Sequence, residues 1–538
     1  MTKRVIVIGA GLAGMVATIA AHKEGAQVIL TDRGSIGLGT NTALAGGVFT
    51  GPTGGYDTET YIKDTIQIGR MINNTFMVKL IAERASDAFD FLRSSGLPMM
   101  DFHSITAVRT PHLDQIPGLL LVKNMAEKVR KLDRVTIFPG FYVTDIIKDG
   151  NRACGVEGFN KKGEEVTLLA DAVIIAAGGA GAIYLVNDNQ KNTMGQGYRL
   201  AAKAGLELFD MEFVQFYPLV LADKHLPSMI LYPPFPEEVR LLDSSGEDIL
   251  KKYSLGSLNE AIHTKRDRFS ILLFEEASMG GVYADFRNVP LSLWSEYPQT
   301  LLAKLKFPVR TKPVPISPAA HFFMGGVKID EGARTAIAGL FACGEVAWGL
   351  HGANRRGGNA LTECLVMGKI AGQNAARLSE SKIAMCKGKP DAIAIGENDV
   401  YNESAHFPNK TSFKEFRRNI REIAWNNAGV VRSEKGLKEG LAAIEKINAQ
   451  LYAIVPHNVP EMRLKEDLLS ASFVLKTILV ASLGRKESRG SFQRKDFPYE
   501  DNSNWQKNSC LSYDPERRDF SLTLYLSAIY QAVDTESF

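Results

Sequence analysis

Three short, strongly apolar runs stand out along the chain, and each is followed by glycine. They are Val5 to Ile8, Val173 to Ala177 and Gly339 to Cys343. Runs of this length, rich in β-branched residues, are typical of strands buried on both faces of a parallel sheet. After the first run, Met15 to Lys23 has a helical pattern and Gln27 to Leu30 predicts a second strand. The N-terminus is therefore predicted to form a β-α-β unit.

The three runs are distant in sequence but alike in character, so we predict one α/β, Rossmann-like nucleotide-binding domain assembled from separate segments. A stretch of mixed aromatic, proline and charged residues between them has the size of an inserted α+β capping domain. Helical patterns in Phe413 to Ala449 and Met462 to Leu483 predict a C-terminal helical domain, after a polar linker at 387–408. The predicted domains are 1–217 and 319–386 (nucleotide-binding), 218–318 (capping) and 409–538 (C-terminal).

The composition changes this picture little. Of 538 residues, 45% are hydrophobic and 23% charged, and the net charge is +3, which offers no concentrated basic face to a nucleic acid. The apolar stretch Leu468 to Leu483 is interrupted by Lys476 and is too short to span a bilayer. The first strand begins too early to leave room for a signal peptide. We expect a cytoplasmic protein with no nucleic-acid partner and no membrane span.

The five cysteines are scattered, and none forms a Cys-x-x-Cys pair. Zinc sites and ferredoxin-type iron–sulfur clusters usually need such a spacing. No metal site is predicted in this chain.

The turn after the first predicted strand carries a dinucleotide-binding fingerprint, Gly9-Ala10-Gly11-Leu12-Ala13-Gly14. In this motif the first glycine permits the tight turn, the second lets the backbone approach a pyrophosphate, and the third allows the helix to pack closely on the strand. Asp32 ends the next strand, where an acid accepts hydrogen bonds from a ribose. A glycine-rich hexapeptide alone is a weak sign, but its place between strand and helix predicts a bound dinucleotide.

Two later features favour FAD over NAD. The small, polar run Gly37 to Gly47 suits a backbone that passes close to a flat ring system. Gly344-Glu345 and Asn359-Ala360-Leu361 lie where FAD proteins return to hold the ribityl and isoalloxazine parts.

The chain resembles the flavoprotein family of fumarate reductase, succinate dehydrogenase and L-aspartate oxidase, over essentially its whole length. Besides the fingerprint, the resemblance rests on segments that occur in family order: Val173 to Gly179, Arg266-Asp267, His321 to Gly326, His351 to Arg355 with Gly358-Asn359, and Glu487 to Gly490. It implies a discontinuous FAD-binding domain whose cofactor contacts are the fingerprint residues Gly9, Ala10, Gly11, Leu12, Ala13 and Gly14, followed by Asp32, Arg33, Thr40, Ala45, Gly46, Gly47, Gln196, Glu345, Asn359, Ala360 and Leu361.

The resemblance also implies hydride transfer between flavin N5 and a carbon of a C=C or CH–CH bond, with a protonated arginine as the acid for the neighbouring carbon. Arg266 matches that arginine. His321 and Arg355 match the pair that grips one substrate carboxylate, since a guanidinium meets a carboxylate with two parallel hydrogen bonds. Arg356 is adjacent, and only the family pattern chooses between the two arginines. Glu237 is the remaining candidate for connecting Arg266 with solvent.

Two departures from the family pattern change the expected substrate. Tyr217 stands where members acting on fumarate or succinate have a histidine that grips a second carboxylate, and Leu231 to Glu237 keeps only Glu237 of the polar residues expected there. Phe235 occupies the place of a proton-relay arginine. We therefore expect a small substrate with one carboxylate at Arg355 and His321 and a less polar far end. A dicarboxylate site rebuilt from other capping residues is the alternative.

The mode of FAD attachment follows from the same comparison. Thr40 occupies the place where succinate dehydrogenases link FAD to a histidine, so non-covalent FAD is expected. In this family that favours reduction of a C=C bond over its formation. Gln196 replaces a usual FAD-contacting aspartate, and an amide can still hydrogen-bond there.

Three functions remain open. The first is a reductase of an unsaturated acid, supplied with electrons by an iron–sulfur or haem subunit or by a diffusing donor. The second is an L-aspartate oxidase-like enzyme, which Tyr217 and Tyr232 disfavour. The third is an electron-transfer flavoprotein subunit without substrate chemistry, which the retained Arg266, His321 and Arg355 argue against.

Overall fold

A computed structural model describes residues 2–111, 115–223, 225–264, 266–296, 298–305, 307–378 and 410–527. The predicted linker at 387–408, the end of the second nucleotide-binding segment and the last residues of the C-terminal domain lie outside these ranges. The α-helices, α1 to α15 in chain order, are Leu12–Lys23, Asn41–Leu44, Thr58–Ile68, Thr75–Ser94, Pro117–Arg130, Gln196–Lys203, Ile249–Lys252, Leu258–Thr264, Arg266–Met279, Gln299–Leu302, Asn359–Ala376, Lys410–Ala428, Glu434–Ala453, Val459–Gly484 and Asn502–Trp505. The strands, β1 to β22, are Arg4–Ile8, Gln27–Asp32, Val48–Thr50, Met99–Phe102, Ile105–Val108, Val135–Pro139, Tyr142–Asp149, Arg152–Phe159, Glu165–Leu169, Ala172–Ile175, Leu208–Phe209, Val214–Leu221, Arg240–Leu242, Val282–Asp285, Val314–Phe323, Gly326–Lys328, Leu340–Ala342, Ala347–Trp348, Val431–Arg432, Gln493–Arg494, Lys507–Asp514 and Asp519–Leu526.

The three apolar runs form neighbouring strands of one sheet, as predicted. Its strand order is β17-β10-β1-β2-β6, and every pairing in it is parallel. Ile174 in β10 lies between Val7 of β1 and Phe341 of β17. These residues are buried because the strands carry apolar side chains on both faces. The discontinuous α/β nucleotide-binding fold is therefore confirmed.

Helix α11 packs tightly along α1, and small residues make this approach close. A Cβ at Gly368 would lie 2.6 Å from the Ala13 carbonyl oxygen, and one at Gly372 would lie 2.2 Å from that of Ala17. Only glycine permits the two helices to approach so closely at these positions. Because Gly368 lies opposite Ala13, the first turns of α11, from residue 359, extend past the N-terminal end of α1.

The capping segment shares a sheet with the nucleotide-binding segments on either side of it. The strand order of this sheet is β12-β15-β14-β13. The predicted boundaries at 217/218 and 318/319 fall inside β12 and β15, and these two strands pair with one another. In that pairing Tyr217 lies opposite Ala319, and Phe216 lies opposite Ala320. The pairing brings Tyr217 close to His321, although 104 positions separate them in the sequence.

The C-terminal part contains the predicted helices, α12 to α14, and an additional hairpin that the sequence did not predict. The hairpin, β21 and β22, extends a sheet of order β18-β16-β11-β21-β22. Leu511 in β21 pairs with Leu208 in β11, about 300 positions earlier. The C-terminal part is thus joined to the nucleotide-binding domain by backbone hydrogen bonds as well as by side-chain packing.

Helix α14 is the one helix in the described ranges that is long and apolar enough to cross a membrane. Of its apolar window, 78% is buried inside the protein. It packs against α12, α13 and the C-terminal hairpin. A helix that is apolar all round is expected when protein surrounds it, as in a core.

A buried ion cluster ties the C-terminal part to the strands before the capping segment. Arg485 Nε lies 2.7 Å from Glu212 Oε1, and its Nη1 lies 2.8 Å from Glu487 Oε1. Arg489 Nε lies 2.8 Å from the same Glu487 oxygen, and all four side chains are fully buried. Glu487 therefore bridges two buried guanidinium groups, each of which has a second carboxylate partner, Glu212 for Arg485 and Glu500 for Arg489.

We expect Glu487→Gln to destabilise the protein by about 1.5–3 kcal/mol, because the isosteric amide loses the charge-assisted hydrogen bonds to both buried guanidinium groups while Glu212 and Glu500 still pair with them. Thermal unfolding, followed by circular dichroism, measures the loss. The matched control is Glu434→Gln, which alters an exposed ion pair with Lys438 and is expected to change stability by less than about 1 kcal/mol. Equal losses of stability in the two variants would show that the buried cluster contributes no more than an exposed ion pair.

Candidate functional site

A groove runs along the carboxyl edge of the central sheet, where nucleotides bind in open α/β folds. Ten of the predicted cofactor residues line it: Gly9, Ala10, Gly11, Leu12, Ala13, Asp32, Arg33, Thr40, Gln196 and Glu345. The other seven, Gly14, Ala45, Gly46, Gly47, Asn359, Ala360 and Leu361, are not among its lining residues.

The three fingerprint glycines have different structural roles. Gly9 has φ of +103°, and a Cβ there would lie 2.4 Å from the Ala176 carbonyl oxygen. A Cβ at Gly14 would lie 1.9 Å from the Gly9 carbonyl oxygen. At Gly11 the nearest atom would be 3.8 Å away, so no protein group fills that space. Gly9 and Gly14 are therefore required by internal packing, whereas the open space at Gly11 fits the close approach of a pyrophosphate.

Asp32 is held at the end of β2 with its carboxylate in the groove. It accepts hydrogen bonds from the backbone N–H of Ala10 (3.1 Å) and of Gly34 (2.7 Å). Burial raises its pKa, while these two N–H groups oppose the rise. A carboxylate has about four acceptor positions, so it can also accept from ribose hydroxyl groups.

Two further residues predicted to contact the cofactor, Arg33 and Gln196, interact with other groups of the protein. Arg33 lines the groove, but its guanidinium pairs with Asp467 of α14 and lies over the Tyr142 ring at 5.3 Å. Gln196 donates a 2.6 Å hydrogen bond to the Val143 carbonyl of β7. The first of these contacts brings the C-terminal part to the wall of the groove.

The start of α11 offers donors that the described protein does not use. Asn359 is buried, and its Oδ1 accepts a hydrogen bond from the Tyr61 hydroxyl at 3.1 Å. Its Nδ2 has no partner among the described residues. In the first turn of α11 the N–H of Asn359 donates to the Arg356 carbonyl and that of Thr362 to the Gly358 carbonyl, which leaves the N–H groups of Ala360 and Leu361 without an intrahelical acceptor. Together these donors fit the carbonyl edge of a flavin ring.

A second cluster is built around Arg355. Its Nε donates to Gln215 Oε1 at 3.0 Å, and its Nη2 lies 2.7 Å from His321 Nε2. The other nitrogen of His321, Nδ1, lies 2.6 Å from Asp188 Oδ2. The structure thus brings His321 and Arg355 together. Sequence reasoning missed Asp188, because no local motif marks it and its proximity depends on packing between distant segments.

Arg266 joins this cluster from α9. Its Nη2 donates to Asn354 Oδ1 at 3.1 Å and to the Arg355 carbonyl at 2.7 Å. Its Nε is buried without a partner among the described residues. Asn354 also donates to Asp267 Oδ2 at 2.7 Å, and burial raises the pKa of Asp267. The Nη2 end of the Arg266 guanidinium is therefore fixed by hydrogen bonds, whereas its Nε–H has no acceptor among the described residues.

The cluster is strongly receptive to an anion. Burial and the charge of Arg266 lower the pKa of Arg355 to about 10, so Arg355 remains protonated near neutral pH. The Arg355 guanidinium is stacked over the Phe322 ring at 4.7 Å. Across the described ranges, neither Arg355 nor Arg266 forms an ion pair with a carboxylate. Two neighbouring cations, one buried and one half-buried, are costly unless a ligand supplies the negative charge.

Aromatic rings border the other side of the cluster. The Tyr217 ring lies 5.7 Å from the His321 ring and 5.5 Å from the Tyr232 ring. The Tyr217 hydroxyl donates to the Leu231 carbonyl at 3.3 Å. Gly46 also approaches Tyr232, since a Cβ there would lie 3.5 Å from the ring. The cofactor loop and the substrate cluster therefore meet at Tyr232.

Two residues considered in the sequence analysis lie away from the cluster. They are Glu237, a candidate proton relay, and Arg356, the neighbour of Arg355. Glu237 is exposed, and no hydrogen bond or ion pair connects it with Arg266 in the part of the chain that is described. Its relay role stays a prediction without structural support. Arg356 turns away from the cluster, over the Tyr56 ring at 4.8 Å and 3.7 Å from Asp64. Arg355 is therefore the arginine available to a substrate.

The chain is similar to known proteins along nearly its whole length. Residues 4–361 match the family described as FAD binding domain, and residues 417–538 match fumarate reductase flavoprotein C-term. The chain is 30% identical to a fumarate reductase (CoM/CoB) subunit of Methanothermobacter marburgensis, over 94% of this chain and 96% of that one. It is 30% identical to an L-aspartate oxidase of Pyrococcus horikoshii, over 93% and 97%. The quinol fumarate reductase FrdA of E. coli has the same fold, with a TM-score of 0.82 and 23% identity over 98% of this chain and 97% of that chain.

Proposed function

Because the chain belongs to the fumarate reductase flavoprotein family of FAD-dependent oxidoreductases that act on CH–CH bonds, we propose that it reduces the C=C bond of a small unsaturated acid. The acid has one carboxylate and an apolar or aromatic far end. The observation that carries this proposal is the pair of guanidinium groups of Arg266 and Arg355. Neither forms an ion pair with a carboxylate among the described residues, and the aromatic rings of Tyr217 and Tyr232 lie close by.

Each residue of the cluster has a distinct task in the proposed reaction. Arg355 and His321 bind the substrate carboxylate, and Gln215 holds the Arg355 guanidinium in place. When bound, FAD supplies the two-electron reduction of one alkene carbon. Arg266 donates a proton to the adjacent carbon. Its hydrogen bonds to Asn354 and to the Arg355 carbonyl fix its direction, and its half-buried position limits the access of competing water.

The far end of the substrate lies against Tyr217 and Tyr232 in this proposal. The Tyr217 hydroxyl already bonds to a backbone carbonyl, so its ring offers a flat, apolar surface. A second carboxylate at this end would meet aromatic rings and no described cation. This argues for a monocarboxylate over fumarate.

The electron supply and attachment of FAD complete the proposal. The relative from Methanothermobacter marburgensis is named as a subunit, and we propose that this chain also works with a separate iron–sulfur or haem subunit. Thr40, rather than histidine, lines the groove, which supports non-covalent FAD. We place the protein in the cytoplasm.

An L-aspartate oxidase-like activity is the second candidate, because the relative of that name from Pyrococcus horikoshii is as similar to this chain as the fumarate reductase subunit. Turnover of L-aspartate with peroxide release would favour it over the proposed reductase.

The proposal is tested by reducing the purified holoenzyme without oxygen and adding candidate oxidants one at a time. Return of the yellow flavin absorbance reports electron transfer to the oxidant. We expect reoxidation by enoates such as trans-cinnamate, with recovery of the saturated acid, and slower reoxidation by fumarate. Reoxidation by fumarate alone, or by no unsaturated acid, would refute the proposed substrate class.

Tyr217→Leu is expected to weaken the binding of trans-cinnamate about two- to tenfold, because it removes an aromatic contact worth about 0.5–1.5 kcal/mol. Acrylate, which has the same carboxylate and alkene but no ring, serves as the matched ligand, and its affinity should change less. Dissociation constants come from ligand-induced changes in the flavin spectrum. If the affinities for both acids fall by the same factor, Tyr217 does not face the far end of the substrate.

A further inference from the structure

His321 lies between a guanidinium and a carboxylate, and this fixes its protonation in the ligand-free protein. Its Nε2 lies 2.7 Å from Arg355 Nη2 and its Nδ1 lies 2.6 Å from Asp188 Oδ2. A guanidinium has donors but no acceptor, so Nε2 must accept this hydrogen bond with its lone pair. The ring is therefore neutral, and its single N–H, on Nδ1, donates to Asp188.

This state is incompatible with a carboxylate bound at Arg355. A carboxylate that takes both forked donors of the guanidinium draws Nη2 away from the imidazole. The lone pair on His321 Nε2 would then face a ligand oxygen, and two acceptors repel. A proton on Nε2 turns that repulsion into a charge-assisted hydrogen bond.

We propose that carboxylate binding at Arg355 takes up one proton from solvent, which His321 holds on Nε2, and that Asp188 acts as the positioning residue that stabilises the resulting imidazolium. The Nε2–H bond is the only bond formed, and the ligand charge and the proton enter together. The inference rests on the proposed function only in requiring a carboxylate ligand at this site.

Asp188 is well placed for this role. Its side chain is only 6% exposed, and Asn189 Nδ2 donates to its Oδ1 at 3.0 Å. The same Asn189 amide also donates to the carbonyl oxygens of Ala320 and His321. The Asn189 side chain therefore holds both the Asp188 carboxylate and the backbone of His321. This keeps the Asp188 carboxylate at hydrogen-bond distance from the imidazole. An opposite charge in contact favours the charged form of an imidazole.

Other ionisable groups around His321 also act on its charge. Arg355 approaches from the segment after β18, and Tyr217 approaches from β12 with ring centroids 5.7 Å apart. Behind them, Glu345 interacts electrostatically with Asp188 and Arg355, and burial raises its pKa to about 7. Arg266 and Tyr232 interact electrostatically with Arg355. Asp188 is the one carboxylate in hydrogen-bond contact with the imidazole among the described residues.

The test is isothermal titration calorimetry of the oxidised holoenzyme with trans-cinnamate, in two buffers of different ionisation enthalpy. The difference between the two heats gives the number of protons taken up. At about pH 8 we expect close to one proton per ligand, and a dissociation constant that rises about tenfold per pH unit above that. The oxidised enzyme has no electron donor, so binding is measured without turnover.

Three variants isolate the carboxylate. Asp188→Asn keeps the side-chain shape and is expected to reduce proton uptake at this pH to near zero and to weaken binding at least tenfold. Asp188→Glu, which restores the charge, should recover part of both. Asp64→Asn is the matched control, since it removes a carboxylate near Arg356 on the far side of the site, and it should behave as wild type.

The outcomes separate this inference from the proposed reaction. Binding of trans-cinnamate without proton uptake in the wild type, or undiminished uptake in Asp188→Asn, overturns the inference even if the enzyme reduces the acid. Proton uptake on binding without flavin reoxidation refutes the reaction and leaves the inference standing. If neither trans-cinnamate, fumarate nor benzoate binds, both are wrong. The wild-type proton count decides the matter even if Asp188→Asn does not fold.

Discussion

Replacing Arg266 with alanine is expected to lower the rate of alkene reduction about a thousandfold or more while FAD stays bound. The guanidinium is proposed to supply both the proton and a nearby positive charge, and losing a general acid or an electrostatic donor each costs about 10²–10³ in rate. Arg266 donates hydrogen bonds to Asn354 and to the Arg355 carbonyl, and it is not among the residues that line the cofactor groove. Its loss should therefore affect chemistry more than cofactor retention.

The measurement is single-turnover reoxidation of the reduced flavin by an active enoate, combined with ligand affinity from the flavin spectrum. Arg268→Ala is the matched control, because Arg268 lies two residues further along α9 and is exposed. It should keep the wild-type rate. If Arg266→Ala retained more than about a tenth of that rate, another group would have to be the acid.

Gly14→Ala is expected to yield a protein that no longer holds FAD. The added Cβ would lie 1.9 Å from the Gly9 carbonyl oxygen, a distance that no side-chain rotation can relieve. Helix α1 would have to move away from the turn after β1, which opens the groove and disturbs the packing of α1 on α11. Overpacking of this kind also costs about 1–3 kcal/mol in stability.

Gly11→Ala is the informative companion, because its Cβ would meet no protein atom closer than 3.8 Å. We expect this variant to fold normally in the absence of FAD but to bind FAD at least tenfold more weakly, since the methyl group occupies the space proposed for the pyrophosphate. Circular dichroism measures the fold, and fluorescence titration of the apoprotein measures the affinity. Gly357→Ala, at an exposed position with no atom within 4 Å of its Cβ, is the control for both. Wild-type affinity in Gly11→Ala would place the cofactor elsewhere.

The central sheet and the cofactor turn could be predicted because their signals are local. A strand buried on both faces needs a short apolar run, and β1, β10 and β17 coincide with such runs to within one or two residues. The fingerprint lies within one turn of chain, so the spacing of Gly9, Gly11 and Gly14 already contains its geometry. The family resemblance then added Arg266, His321 and Arg355, which the structure brings into one cluster.

Other features depended on contacts between distant segments. Strand β22 alternates polar and apolar residues, but this local pattern does not identify the partner of the hairpin β21–β22, which pairs with a strand about 300 positions earlier. The relay role of Glu237 also depends on such contacts, and it stays a prediction, since no hydrogen bond joins Glu237 to Arg266 in the described part of the chain. Asp188 gave no signal at all, because its importance arises from packing against β15.

The sequence by itself determined the α/β nucleotide-binding core, because apolar periodicity and glycine spacing are properties of single elements. The order of its motifs along the chain indicated the family resemblance and, with later segments, the FAD cofactor. The tertiary structure alone decided which of two adjacent arginines contacts His321, and that His321 is held by Asp188. The direction of a side chain depends on where neighbouring segments leave space and partners for it. Adjacent residues such as Arg355 and Arg356 can therefore have the same chemistry and opposite surroundings.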